Sequence, residues 1–395
     1  MGPYRMRVAY LLASFPNTSE IFIINEIAEA IKQGVDVRVF SLVLPQRPCP
    51  HAIVQKIKDR IEYLPAIENP QMMKVLLLHT FFFFNNPRSY LATVRYVIRN
   101  RQNDMLWAFK VCVFYAEHIK KFKPDLMHTH FAYGSSLFAM LISMMIGIPY
   151  TFTIHGWYDI YKAPPPFLRE VIVNSKKTVT VCEYNRSYLM SEFHIPDGQL
   201  DVVRCGIPVG KFSPDNDKID RLIISVGRLH YHKAYHVLVD ACKLLADRGV
   251  PFSCWIIGDG ELRENIQQQI NGLGLSDKVL LLGEKSNEDV QALLPKANIF
   301  VLTSQVEVLG LVNAEAMASG IPVIGTSVFG VPELVEHGIT GYLCDPNDPV
   351  SVADYLEFLL DHPDICREMG MKGREKVNRM HNLTLQVNAL KNIWV

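Results

Sequence analysis

Twice along this chain, short apolar runs of strand length alternate with segments of helical period, and a repeated alternation of that kind leaves few folds open. The first series is RVAYLLASF (7–15), VDVRVFSL (35–42), DLMHTH (125–130), PYTFTIHG (149–156), TVTVC (178–182) and LDVVRCG (200–206). The second is RLIISVG (221–227), FSCWIIGDG (252–260), VLLLG (279–283), IFVLTS (299–304) and PVIGT (322–326). Near-continuous apolar strands separated by helices imply parallel sheets with crossover helices. Between the two series, IPVGKFSPDNDKID (207–220) is polar, carries Pro208 and Pro214 and shows no period, so it reads as a linker. The expectation is an α/β chain of two doubly wound domains, 1–206 and 221–380, and 395 residues suit two cores of ordinary size. In such sheets ligands bind at the carboxyl ends of the strands, at the switch point, which places the expected site in a cleft between domains.

Composition narrows the partners. Forty basic and forty acidic side chains give a formal net charge of zero, which removes the broad basic field of a general nucleic-acid binder. The eight cysteines are scattered without metal-ligand spacing and read as reduced, buried thiols of a cytosolic protein. The N-terminus runs directly into an apolar strand without a signal-peptide cleavage pattern, so a cytoplasmic location is expected. The most lipid-like stretch, MMKVLLLHTFFFF (72–84), holds Lys74 and His79 and falls short of the roughly 20 apolar residues of a spanning helix. It reads either as a buried helix of the first domain or as an interfacial segment. The second reading is prompted by Arg88, Arg95, Arg99, Arg101, Lys110, Lys120, Lys121 and Lys123, which could face anionic headgroups.

The turns after the strands constrain the ligand. A nicotinamide site would need GxGxxG after the first strand, where SFPNTSE stands, and there is no GxxxxGK[ST]. The GDG at 258–260, which includes Gly258, is weak evidence alone because such turns are common. Anion recognition is better supported. Arg228 and Lys233 flank the turn GRLHYHK after the strand ending at Gly227 and can bring two positive heads to a phosphate. In EVLGLVNAEAMASGIPVIG (307–325) a helix is expected to begin at Gly310, with backbone amides of Gly310 and Leu311 open to a phosphate. Glu315, inside that helix, would repel phosphate but can accept the hydroxyl protons of a ribose diol. Glu307, on the other side, would reach hydroxyls of a second sugar. One diphosphate bracketed by two sugar readers describes a nucleotide sugar.

These residues resemble glycosyltransferase family 4, whose retaining members have two Rossmann-like domains facing across a cleft, the GT-B fold. The resemblance covers most of the chain and rests chiefly on the E-x7-E stretch with EAMASGIPVIGTSVFGVPELVEHGITGYLCDPND behind it. SVGRLHYHKAYHVLVDA, IIGDGELR, HTHFAYGSSLFAMLISMMIGIPYTFTIHGWYDI and VVRCGIPVGKFSP support it. The opening SFPNTSEIFIINEIAEAIKQGVDVRVFSL is similar to the exopolysaccharide and colanic-acid-type subgroup. By that resemblance Arg228 and Lys233 would bind the donor diphosphate, Glu315 the ribose and Glu307 the transferred sugar, with amides near Gly310 and Leu311 completing the cradle. His155, in TIHG, would be the active-site histidine facing the donor sugar, while His128 and His130 read as structural or acceptor-side residues. Residues 381–395 would form a helix returning to the first domain, and the two halves would close on the donor.

The pattern departs from the family at several points. FPNTSE replaces a glycine-rich first loop, so Asn17, Thr18 and Ser19 would approach the phosphate or acceptor with side chains. EVLG stands where EGFG is frequent, Ala234 follows Lys233 where glycine is common, and Val328-Phe329-Gly330 replaces a double glycine. None of these removes a charged participant. The implied reaction is transfer of a glycosyl unit, with retention, from a UDP or GDP sugar to a saccharide acceptor, lipid-linked if the apolar and basic stretch meets the membrane. No tightly bound cofactor and no metal are expected. Two rival readings are a nucleotide-sugar 2-epimerase, which would convert donor without acceptor, and a sugar-nucleotide-binding subunit that never turns over.

Overall fold

A computed structural model describes residues 5–17, 20–45, 49, 51–64, 72–100, 103–215 and 217–395. The chain divides into two compact units. The first comprises Met1–Val181, Asn185–Val203 and Gln386–Val395, and the second Cys182–Tyr184 and Arg204–Leu385.

In the first unit seven strands form one parallel sheet: β1 (Arg7–Ser14), β2 (Asp36–Val43), β3 (Ile61–Tyr63), β4 (Leu126–His130), β5 (Tyr150–Ile154), β6 (Lys177–Thr180) and β7 (Leu200–Val202). Their order is β3-β2-β1-β4-β5-β6-β7, so the chain reverses direction across the sheet between β1 and β4. β4 and β5 are buried at every residue, which is why they read as unbroken apolar runs interrupted only by histidine and threonine. β3 is missing from the strand-like runs of the sequence because three residues, IEY, carry no readable period. The helix Leu383–Trp394 ends in this unit, where Lys176 Nζ donates to the Trp394 carbonyl at 2.7 Å and the Trp394 ring meets Tyr10 edge-on at 6.1 Å.

The second unit holds a six-stranded parallel sheet: β8 (Leu222–Val226), β9 (Ser253–Ile257), β10 (Val279–Gly283), β11 (Ile299–Leu302), β12 (Val323–Thr326) and β13 (Gly341–Cys344). The order β10-β9-β8-β11-β12-β13 puts the switch point between β8 and β11. Ile223, Ile256, Val301 and Ile324 are fully or almost fully buried in its core, each contributing on the order of 1.5–3 kcal/mol by leaving water. The polar stretch 207–220 groups with this unit, and Ile207 bridges to Asn382. All eight cysteines are buried thiols outside any disulfide.

The lipid-like stretch forms the helix Met72–Asn85, and only part of it is core. Val75 and Phe82 are buried, whereas Leu76, Leu77 and Phe84 are exposed at 62%, 63% and 74%. The buried-helix reading of 72–84 therefore fails for most of its large side chains. Among the described residues, no helix is long and apolar enough to cross a membrane.

Candidate active site

At the switch point of the second unit, two loops that leave β8 and β11 are stitched together by their backbones. Gln305 N donates to the His232 carbonyl at 2.8 Å, and the Thr303 hydroxyl donates to the Ala234 carbonyl at 3.0 Å. The β8 loop carries Arg228, which is exposed, then a single 3-10 turn, Tyr231–Lys233, that lifts Lys233 toward the β11 loop. There the Lys233 ammonium pairs with the Glu307 carboxylate, both side chains largely shielded from solvent. Each holds the other in place, and an ammonium with three donors can keep this partner while reaching a phosphate oxygen.

Gly310 caps the helix Leu311–Ala318 with φ of 71°, in the left-handed region. A Cβ at this position would stand 2.6 Å from Asn313 Nδ2 and 3.0 Å from Glu307 Cγ, so both the backbone angle and the packing require glycine. The first-turn amides of this helix point out of its N-terminus, beside the lysine and glutamate. Glu315 lies one turn further in. It keeps a partial exposure, yet the protein atoms around it raise its carboxyl to about 7 by desolvation. Gly258 sits behind the β8 loop, where a Cβ would meet the Gly227 carbonyl oxygen at 2.0 Å. Its absence of a side chain is what lets the turn after β9 approach the strand end that carries Arg228.

In the first unit His155 follows β5 directly and is 9% exposed. Its ring stacks on His130 at 5.1 Å, with Phe22 and Phe131 packed at 4.8 and 5.3 Å. Burial, and then the neighbouring His130, hold its pKa well below the usual imidazole value, so it is neutral at physiological pH. Beneath it lies a polar cluster with no counterpart among the expected catalytic residues: Glu26, His128, His130 and Tyr10, all buried. The ligating atoms of Glu26, His128 and His130 lie within 4.8 Å of one another. They are nonetheless engaged already, Glu26 by Tyr10 and His130 and His128 by the hydroxyls of Thr151 and Thr153, which makes the cluster a hydrogen-bonded network.

The second unit thus brings together Arg228, Lys233, Glu307, Gly310, Leu311 and Glu315, with Gly258 as support, and the first presents His155. Ser19 and Thr18 lie outside the described residues; Asn17 turns its amide to the Ser14 carbonyl at 3.0 Å. Glu26 and Asn313 escaped the sequence reading. Asn313 is 1% exposed, and neither of its amide atoms has a hydrogen-bond partner among the described residues. The signal for it was a polar residue at an inward position of a short apolar helix. A cavity of about 480 Å³, lined by Lys218, Arg221, Asn298 and Arg367, opens at the amino ends of the strands, away from this chemistry.

Two family models match the chain, Glycosyltransferase Family 4 over residues 19–211 and Glycosyl transferases group 1 over 210–376. The chain is 31% identical to N-acetyl-alpha-D-glucosaminyl L-malate synthase of Bacillus anthracis, across 71% of this chain and 76% of that one. The chain belongs to glycosyltransferase family 4. This glycosyltransferase is also 26% identical to the amylovoran biosynthesis glycosyltransferase AmsK of Erwinia amylovora, over 98% of its length and 99% of the relative's. Its fold matches that of Anabaena HepE, solved with UDP and glucose, at a TM-score of 0.72 and 16% identity, over 98% and 99% of the two chains. Two Rossmann-like units and a GT-B architecture follow.

One departure of this glycosyltransferase has a measurable cost. Ala234, where glycine is common, is buried and has φ of 47°, between the lysine and the helix Tyr235–Asp247. A left-handed angle costs an alanine roughly 1–2 kcal/mol. Ala234→Gly is therefore expected to raise stability by up to about 1 kcal/mol after the loss of one buried methyl, read as a higher Tm with nucleotide affinity unchanged.

Proposed function

We propose that this glycosyltransferase moves a sugar from a UDP-sugar to a saccharide acceptor in assembly of a cell-surface polysaccharide, with retention at the anomeric carbon. The observation that carries this reading is the convergence of Arg228, Lys233 and the helix terminus at Gly310 on the carboxyl ends of β8 and β11. Uridine as the base draws support from the UDP complex of HepE, and a polysaccharide product from the name of AmsK.

In this reading the bond between the anomeric carbon and the β-phosphate oxygen breaks, and negative charge grows on the departing diphosphate. Arg228, Lys233 and the helix amides are placed to stabilise that charge as it develops. The acceptor oxygen forms the new bond on the same face, and its proton passes to the leaving diphosphate. Glu307 holds the transferred sugar, and Glu315 holds the ribose. Two cations and a helix terminus take the place beside the leaving group that a divalent ion would fill, so turnover is expected to survive EDTA.

A thermal-shift panel of UDP, GDP, ADP and their sugar conjugates tests the donor site. UDP and its conjugates are expected to raise Tm by mass action, and the rise to vanish in the Arg228→Ala, Lys233→Ala double variant. A panel with no shift sinks the reading. Turnover of donor only in the presence of acceptor separates it from an epimerase and from a binding subunit. The same binding is expected to depend on pH through Glu315. The carboxylate is the form that accepts ribose hydroxyls, and with its pKa at about 7 UDP affinity should rise about tenfold between pH 6 and 8. Glu315→Gln should flatten that rise. For the unliganded protein the sign is opposite: a raised carboxyl pKa means stability is lost as pH climbs through about 7.

We further propose that the helices Met72–Asn85, Pro87–Arg99 and Asn103–Phe122 rest on an anionic membrane surface bearing a lipid-linked acceptor. Support comes from exposed Leu76, Leu77, Phe84, Leu91, Ile98 and Trp107 in company with exposed Arg88, Arg95, Arg99 and Lys110. Sedimentation with phosphatidylserine vesicles is expected to weaken by about 1 kcal/mol for each arginine removed and to fall with salt. Equal binding to neutral vesicles would count against it.

A further inference from the structure

In the first unit, the loops that follow β4 and β5 are bonded to one another and carry rings that face water. The β4 loop turns sharply, with φ of 65° at Phe131 and 67° at Gly134. The left-handed region is unfavourable for a side chain as bulky as phenylalanine, and such strain persists only where the surroundings enforce it. Here they do. Phe131 N donates to the Thr153 carbonyl at 3.0 Å, and Ala132 N donates to Oδ2 of Asp159, a side chain buried in the β5 loop, at 3.0 Å. That loop closes as a π-helical turn, Tyr158–Lys162, in which Ala163 N donates to the Tyr158 carbonyl at 2.9 Å. Wide turns of this kind are rare and collect at functional sites. A Cβ on Gly134 would meet Ala13 of β1 at 3.5 Å, so the β4 loop lies against the carboxyl end of β1, where the sheet reverses direction and ligands bind.

Two tyrosines stand on this frame. Tyr133 is 38% exposed although its hydroxyl donates to the Ala163 carbonyl, and Tyr158 is 54% exposed. Their ring centroids lie 6.0 Å apart, with the planes 47° from parallel. Because the Tyr133 hydroxyl is committed to the backbone, what that residue offers a ligand is ring carbon. Lys162, also exposed, holds its ammonium 6.0 Å from the Tyr158 centroid.

We propose that Tyr133 and Tyr158 form a stacking platform for a pyranose ring of the acceptor, with Lys162 donating to a hydroxyl at the edge of that ring. The assignment rests on the saccharide nature of the acceptor given above. The C–H bonds on one face of a pyranose chair carry partial positive charge and meet the negative face of an aromatic ring, while the hydroxyls project from the rim toward water or a donor. Two rings inclined at 47° make an open wedge that suits a puckered chair. A flat nucleobase stacks parallel to its partner and gains little from the second ring. The loop bonds hold both tyrosines before the sugar arrives, so little ordering remains to be done on binding.

Saturation-transfer NMR on the full chain tests this with methyl β-D-glucoside, methyl β-D-galactoside and methyl β-D-glucuronide as probes. Irradiating the aromatic protons of the protein should carry signal to the C–H protons of one ring face in at least one probe. The transfer is expected to drop roughly two- to tenfold in Tyr158→Ala, the scale of one aromatic contact, and to survive in Tyr158→Phe, which keeps the ring. Tyr158 is more than half exposed, so its truncation should leave the fold intact. The UDP-dependent rise in Tm, read on the same proteins, should be equal in the wild type and both variants. A donor site that fails shows itself in that rise, whereas a platform that fails shows itself in the glycosides. Transfer undiminished in Tyr158→Ala overturns the proposal, and a simultaneous loss of sedimentation with phosphatidylserine vesicles would assign the ring to the membrane instead. Silence of all three probes in the wild type overturns it as well, even where UDP still raises Tm.

Discussion

Replacing Lys233 with alanine is expected to lower kcat/KM roughly 100- to 1000-fold, the equivalent of about 2.7–4 kcal/mol of transition-state stabilisation. The magnitude comes from where charge moves. The ground-state diphosphate already carries its ionic load, and bond cleavage adds more to the oxygen nearest the lysine, so the loss should fall on kcat as well as on KM. Melting should fall as well, since the largely shielded Glu307 carboxylate loses its partner. Steady-state kinetics beside a melting curve separate the two effects. Lys233→Arg is not expected to rescue, because the planar guanidinium must share the Glu307 carboxylate in a space shaped for a compact ammonium. Turnover within threefold of wild type in Lys233→Ala would mean that Arg228 and the helix amides suffice.

Gly310→Ala should damage the same site by a different route. The left-handed backbone costs alanine roughly 1–2 kcal/mol, and its methyl group would press on the Asn313 amide and the Glu307 stem. Relief requires the loop to move, which carries Glu307 away from Lys233 and tilts the first amides of the helix off the phosphate. A fall in Tm of several degrees is expected together with a loss of UDP affinity of at least tenfold. Calorimetric titration with UDP checks it. Destabilisation with unchanged affinity would show that the amides of Gly310 and Leu311 take no part in binding.

The residues proposed for the donor stood out in the sequence because they are local. Glu307, Gly310, Leu311 and Glu315 fall within nine consecutive residues, and Arg228 and Lys233 within six, each set following a strand whose apolar run announces it. The set built around His155 stood out only in part. His130 and Glu26 are 104 residues apart and Gln386 lies 360 residues from Glu26, with no periodicity linking them. A buried glutamate on an amphipathic helix is indistinguishable, in one sequence, from a solvated one. β3 and β13 were missed for a simpler reason: at three and four residues they depend on the edge of an existing sheet for their shape. The helix Met72–Asn85 misled in the other direction, since apolar composition reports a preference for leaving water without saying which surface receives it.

The placement of Gln386–Val395 in the first unit also bears on how the protein is made. A chain leaving the ribosome presents Glu26 long before Gln386, so the first unit emerges nearly whole but cannot finish its interior until residues 386–395 have been made. In that interval a carboxylate destined for complete burial lacks one of its donors, and the surface that Trp394 will cover stays open to solvent or to a chaperone. Completion of the first unit therefore waits on residues made after the whole of the second, and a ribosome that stalls before codon 386 would release a protein with a finished second sheet and an unfinished polar network around Glu26.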